Sequence, residues 1–152
     1  MKIQFILNGK KTEAEIKADM LLLDLVRELG CYSVKRGCET SNCGLCTVLM
    51  NGKPILSCST LASRADGAEV MTLEGMEEEA ACFGRFLAGE GAEQCGFCSP
   101  GLIMNVLAME KELSNPNEEE VKEYLAGNLC RCTGYMGQMR AIVKYLNREG
   151  GR

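Results

Sequence analysis

Ten cysteines in a chain of 152 residues constrain this protein more than any other feature. Eight of them fall into two spaced sets. Cys38, Cys43, Cys46 and Cys58 follow C-x4-C-x2-C with a distant fourth, and Cys95, Cys98, Cys130 and Cys132 follow C-x2-C, a long gap and C-x-C. Cys31 and Cys82 stand outside both spacings and read as small buried apolar side chains. Disulfides belong to oxidising compartments. Met1 runs straight into the alternating Lys2-Ile3-Gln4-Phe5 with no apolar signal core, and the apolar run at residues 20–23 is far too short for a bilayer. The expected location is therefore the cytoplasm, without a membrane, where reduced thiols point to metal. Thioredoxin-type dithiol chemistry at Cys43/Cys46 or Cys95/Cys98 would leave the other thiols without a role.

The chain has no His and no Trp. That excludes a Cys2His2 zinc site, a Rieske centre and a histidine general base. The first cysteine set has the plant-type [2Fe–2S] spacing. Four thiolates, two sulfides and two ferric ions sum to a formal charge of about −2. A loop that wraps three ligands in nine residues turns its N–H groups toward such an anion, and Gly37 and Gly44 permit the tight turns. In the second set each cysteine pair lies just ahead of a predicted helix, whose N-terminus offers free N–H groups and partial positive charge. By chemistry alone this set fits iron–sulfur or zinc.

Two halves are legible around the cysteines. Ile3, Phe5 and Leu7 alternate with polar residues, Asn8-Gly9 signals a hairpin, and Thr12, Ala14 and Ile16 return. Leu22, Leu25, Val26 and Leu29 repeat at helical spacing, and Gly30 stops the helix. A second hairpin turns at Asn51-Gly52, and residues 70–73 read as a last strand. Helices are predicted near residues 78–88, 100–111, 118–125 and 135–146, with Ser99 as a cap before Pro100 and Asn117 with Glu120 as a capping box. The expected fold is α+β: a β-grasp, plant-type ferredoxin-like domain over residues 1–75, then an all-α four-helix [2Fe–2S]-binding domain over residues 76–152. The helical half carries a weak pseudo-two-fold pattern of helix, cysteine pair, helix.

Residues 37–48 (GCETSNCGLCTV) with Leu56-Ser57-Cys58-Ser59, residues 94–101 (QCGFCSPG) and residues 127–135 (GNLCRCTGY) together resemble the small iron–sulfur subunit of the molybdenum hydroxylases. This is the family of xanthine dehydrogenase, aldehyde oxidase and carbon monoxide dehydrogenase. The resemblance implies two [2Fe–2S] clusters, held by Cys38, Cys43, Cys46 and Cys58 and by Cys95, Cys98, Cys130 and Cys132. It implies an electron-transfer role within an oxidoreductase complex, with no substrate site on this chain. It further implies a large partner subunit with molybdopterin in a dinucleotide form and a medium subunit with FAD. Electrons would pass from molybdenum through the helical-domain cluster and the ferredoxin-like cluster to FAD or another acceptor. Gln94 and Cys132 would face the pterin, and residues 41–45 the flavin. Leu45 stands where the family usually has Ala, and Ser99 where it has Thr; residues 39–41 are closer to the carbon monoxide dehydrogenase type, which leaves the substrate unassigned.

The remaining features are less specific. A formal charge of −4 offers nothing to nucleic acid or an anionic membrane. Lys35 reads as solvated charge, whereas Arg131 lies between two ligands and could raise a cluster potential. Met104, Met109, Met136 and Met139 read as helix core. Glu77, Glu78 and Glu79 read as a solvated linker and residues 118–120 as a charge-favoured helix start. Two rival readings remain: a free two-cluster ferredoxin and a zinc-structured interaction module.

Overall fold

The structure is a computed structural model that describes residues 1–148; the last four residues of the expected helical domain lie outside the described residues. Strands β1 (Lys2–Leu7) and β2 (Lys10–Glu15) pair antiparallel around Asn8 and Gly9, both at positive φ as a type I′ turn requires. Strands β3 (Thr47–Met50) and β4 (Lys53–Leu56) repeat the device at Asn51-Gly52. Strand β5 (Glu69–Met71) runs parallel to β1 and antiparallel to β3, giving the order β2-β1-β5-β3-β4. Helix α1 (Leu22–Glu28) buries Leu22, Leu23, Leu25 and Val26 against Ile3, Phe5, Val48 and Val70. Leu29 is instead the C-cap and partly exposed, with Gly30 following at positive φ. This is the expected β-grasp sheet holding one helix.

Four helices follow: α2 (Glu77–Gly89), α3 (Ser99–Glu112), α4 (Glu118–Tyr124) and α5 (Met136–Leu146). Their core gathers Phe83, Leu87, Met104, Leu107, Met109 and Tyr145. Fully burying one such side chain is worth about 1.5–3 kcal/mol. The two halves share strand β3. Its side chains alternate between faces, so Val48 enters the α1 core while Leu49 enters the helical core.

Three expectations need correction. The acidic run Glu77–Glu79 is the first turn of α2, where negative charge meets the positive end of the helix dipole. Just before it, Glu74 is tied into the fold as well. Its carboxylate accepts from the Ser33 backbone N–H and hydroxyl at 2.9 and 2.6 Å and from the Thr72 hydroxyl at 2.6 Å. Ser99 is already inside α3, because the chain enters the helix one residue earlier, at Cys98; its hydroxyl donates to the Glu93 carboxylate instead of capping. Asn117 and Glu120 do form both bonds of the capping box. Met136 departs from the core reading at 65% exposed, while Met104 and Met109 are fully buried. No helix among the described residues is long and apolar enough to cross a membrane.

Candidate metal centres

The first cysteine loop is shaped by backbone conformations that only special residues hold comfortably. Ser41 and Gly44 lie at φ 55° and 76°, and a Cβ at Gly37 would press on Leu45 Cδ2 at 2.7 Å. The folded loop turns donors toward sulfur. Backbone N–H groups of Asn42, Thr40 and Cys43 point at Cys38 and bring its thiol down to about 6. Cys43 is pushed up by burial, against N–H groups of Leu45 and Gly37. Burial pushes Cys46 to about 11, against the N–H of Cys58. The Ser41 hydroxyl lies 3.5 Å from Cys58 Sγ.

The second set is gathered by two helix starts and the loop before α5. Cys98 is the N-cap of α3, and Gly96 at φ 73° tightens the turn behind it. The Phe97 N–H lowers the Cys95 thiol. Cys132 Sγ lies 3.5 Å from Cys95 Sγ, and the Cys95 thiol pushes that of Cys132 up. Burial raises Cys130, but the Thr133 hydroxyl at 3.2 Å and the N–H groups of Thr133 and Cys132 outweigh it, leaving the thiol at about 7. Cys98 is pushed to about 11 by burial and by Cys130. Tyr135 is held at φ 68°, which aims its hydroxyl at the Cys130 N–H, 2.8 Å away.

The thiols meet two by two: Cys38 with Cys43, Cys46 with Cys58, Cys95 with Cys132, and Cys98 with Cys130. A [2Fe–2S] cluster takes two thiolates on each of two irons, so paired donors under inward N–H groups fit it. Among the described residues no three Cys, Asp or Glu side chains converge as one metal ion requires. The two sets also adjoin. Leu129, next to Cys130, donates its N–H to the Cys43 carbonyl at 2.9 Å. A cavity of about 450 Å3 is lined by Cys38 and Cys43 together with Cys95, Cys98, Cys130 and Cys132.

Residues 5–82 match the 2Fe-2S iron-sulfur cluster binding domain family, and residues 72–143 the [2Fe-2S] binding domain family. The nicotinate dehydrogenase small FeS subunit of Eubacterium barkeri is 40% identical over 146 residues, covering 94% of this chain and 92% of that protein. The chain belongs to the small iron–sulfur subunits of the molybdenum hydroxylases. Two solved structures share its shape. Quinoline 2-oxidoreductase from Pseudomonas putida 86 superposes with a TM-score of 0.89 at 37% identity, over 96% of this chain and 93% of that one. The aldehyde oxidoreductase from Desulfovibrio gigas gives 0.88 at 33% identity over 96% of this chain but 17% of that one. This iron–sulfur subunit therefore has an electron-transfer role in an oxidoreductase and the two [2Fe–2S] clusters of its family.

Other residues of the iron–sulfur subunit fall where the sequence implies, or do not. Gln94 is exposed beside the exposed Cys95 and Cys132, and Arg131 is exposed on the shared cavity. Cys31 is buried and Cys82 packs on the helical core. Lys35 is not merely solvated: its ammonium lies 3.3 Å from the Phe97 carbonyl and 4.8 Å from that ring's centre, tying the two loops together. Residues 43–45 do not face outward. They are buried under the helical half, because Gly44 packs on Gly127 and Asn128 and Leu45 on Gly101, so the exposed part of the loop is Glu39, Thr40 and Asn42. Cysteine spacing does not single out Thr133, Tyr135 or Gln138, whose polar ends reach Cys130 or Cys98. Gln138 alone leaves a signal: a polar residue on the otherwise apolar face Ala141, Ile142 and Tyr145.

Proposed function

We propose that Cys38, Cys43, Cys46 and Cys58 hold one [2Fe–2S] cluster and Cys95, Cys98, Cys130 and Cys132 the other. The chain then relays electrons from a molybdopterin-binding large subunit to FAD in a medium subunit or to another acceptor. The observation that carries this is the convergence of eight thiols, in pairs, on two adjoining sites whose backbone N–H groups point at sulfur. When bound, the clusters supply one-electron redox chemistry. The chain's own residues fix their separation through the Leu129–Cys43 hydrogen bond and compensate their negative charge with N–H groups.

The division near residue 75 falls at the short turn before α2, where the two family matches overlap. The pterin-binding partner covers the face around Gln94, Cys95 and Cys132. Phe97, Leu129, Tyr135 and Met136 on that face are 41–65% exposed, an apolar rim suited to burial by another chain. An aldehyde oxidoreductase chain about six times longer than its matching part accords with a fixed assembly over a transient one. The expected location is the cytoplasm, and no nucleic acid or membrane is involved.

Metal and acid-labile sulfide analysis of the natively purified protein with its co-purifying chains tests this reading. Two clusters require about four iron and four sulfide per chain, together with molybdenum in a larger partner. Iron without any partner would favour a free ferredoxin. Colourless protein with zinc and no sulfide would end the proposal.

A further inference from the structure

Helix α5 buries Gln138 with Ala141, Ile142 and Tyr145 on one face. An amide among apolar side chains costs desolvation unless its polar atoms are bonded. Gln138 is 4% exposed, and its Nε2 lies 3.7 Å from Cys98 Sγ, within N–H···S reach. The space it shares with Cys43, Cys98 and Cys130 is a pocket of about 10 Å3. That is no more than one water needs, so the amide itself fills the space behind the sulfur. An iron-bound thiolate has no proton to donate, so the amide must present its N–H2 end.

We propose that Gln138 is a positioning residue that raises the reduction potential of the second cluster by donating an N–H···S hydrogen bond to Cys98. This rests on the ligand assignment proposed above. Sulfur carries more negative charge in the one-electron-reduced state, so a donor favours that state, and hydrogen bonds to the sulfurs are among the determinants of cluster potential. No proton moves and no covalent bond changes at Gln138. Among the described residues no α5 side chain makes such a bond to Cys38, Cys43, Cys46 or Cys58, so Gln138 raises the second centre relative to the first.

The test is a potentiometric titration of the whole complex, followed by electron paramagnetic resonance, for wild type and Gln138→Met. The expected result is an approximately tenfold weaker reduction equilibrium at the second cluster, 59 mV for a one-electron couple. The first cluster, read in the same sample, stays unchanged. Equal potentials in the two proteins, or equal shifts at both clusters, overturn the proposal. A variant that loses its second cluster passes the decision to protein labelled with 15N in its glutamine side chains. The sequence contains Gln4, Gln94 and Gln138. A Gln94→Ala background, reconstituted with unlabelled partner chains, therefore leaves Gln138 the only labelled amide near the second site. Its reduced cluster must show 15N coupling by pulsed resonance, and no coupling overturns the proposal. Wild-type complex with fewer than two clusters per chain instead sinks the ligand assignment.

Discussion

At the residue scale, two glycines in helices make opposite predictions. Replacing an exposed or open helical Gly by Ala gains about 0.5–1 kcal/mol. Gly84 in α2 has nothing within 4 Å of a new Cβ, so Gly84→Ala should raise the unfolding midpoint. Gly101, in the first turn of α3, would drive a Cβ into the Gly44 carbonyl and to 2.9 Å from Leu45 Cα. Backbone cannot swing aside as a side chain does. Gly101→Ala should therefore cost about 1–3 kcal/mol and lower iron content at the first site. Thermal unfolding and iron per chain check both variants; a stabilised Gly101→Ala would show that the halves do not meet as described. Glu74 gives a pH prediction. Burial raises its carboxyl, but hydrogen bonds from Ser33 and Thr72 outweigh burial and leave it below its ordinary 4.5. Its contribution is complete above 4.5 and fades as pH falls through the lower folded value. Glu74→Gln should thus flatten the acid limb of a stability–pH curve below about pH 4.5; parallel wild-type and variant curves would refute it.

At the scale of elements, the capping box offers the cleanest measurement. Asn117 accepts from the Glu120 N–H at 3.0 Å, and Glu120 reaches back to the Asn117 N–H at 2.8 Å. Asn117→Ala should cost about 1 kcal/mol in denaturant unfolding, and an unchanged midpoint would mean that α4 is held by packing alone. Elements of this kind are legible in the amino-acid sequence. Asn-Gly turns, alternating strands, the capping box and both cysteine spacings depend on residues close along the chain. What the sequence does not disclose depends on contacts between distant segments. Residues 43–45 have the composition of an outward loop, yet they are sealed by Gly101 and Asn128. Lys35 has the character of a solvated cation, yet Phe97 comes from the other half to meet it. Glu77, Glu78 and Glu79 suggest a linker because charge content alone cannot distinguish a solvated segment from a helix start that its own dipole stabilises.

At the scale of the whole molecule, two cluster sites on two halves of a chain suggest two units that could melt apart. The contacts argue for one. Leu49 of the sheet belongs to the helical core. Asn105 of α3 donates to Thr47 of β3 at 3.3 Å, which bridges the halves, and to Asn128 at 2.8 Å within the helical half. Thr72 exchanges bonds of 2.8 and 2.9 Å with Asn8 on the far hairpin, which fixes the passage between halves. Opening either half would expose Leu49 to water and break the Asn105–Thr47 hydrogen bond, a bond of a kind worth about 0.5–1.5 kcal/mol net. The cluster-loaded chain should therefore lose both halves in one calorimetric transition. Removing the metal takes away ligands that bind the folded thiol sites in preference to the unfolded chain, so it should lower the midpoint. Two separate transitions in the loaded protein would mean that each cluster stabilises its own half, and that the shared strand β3 does not couple them.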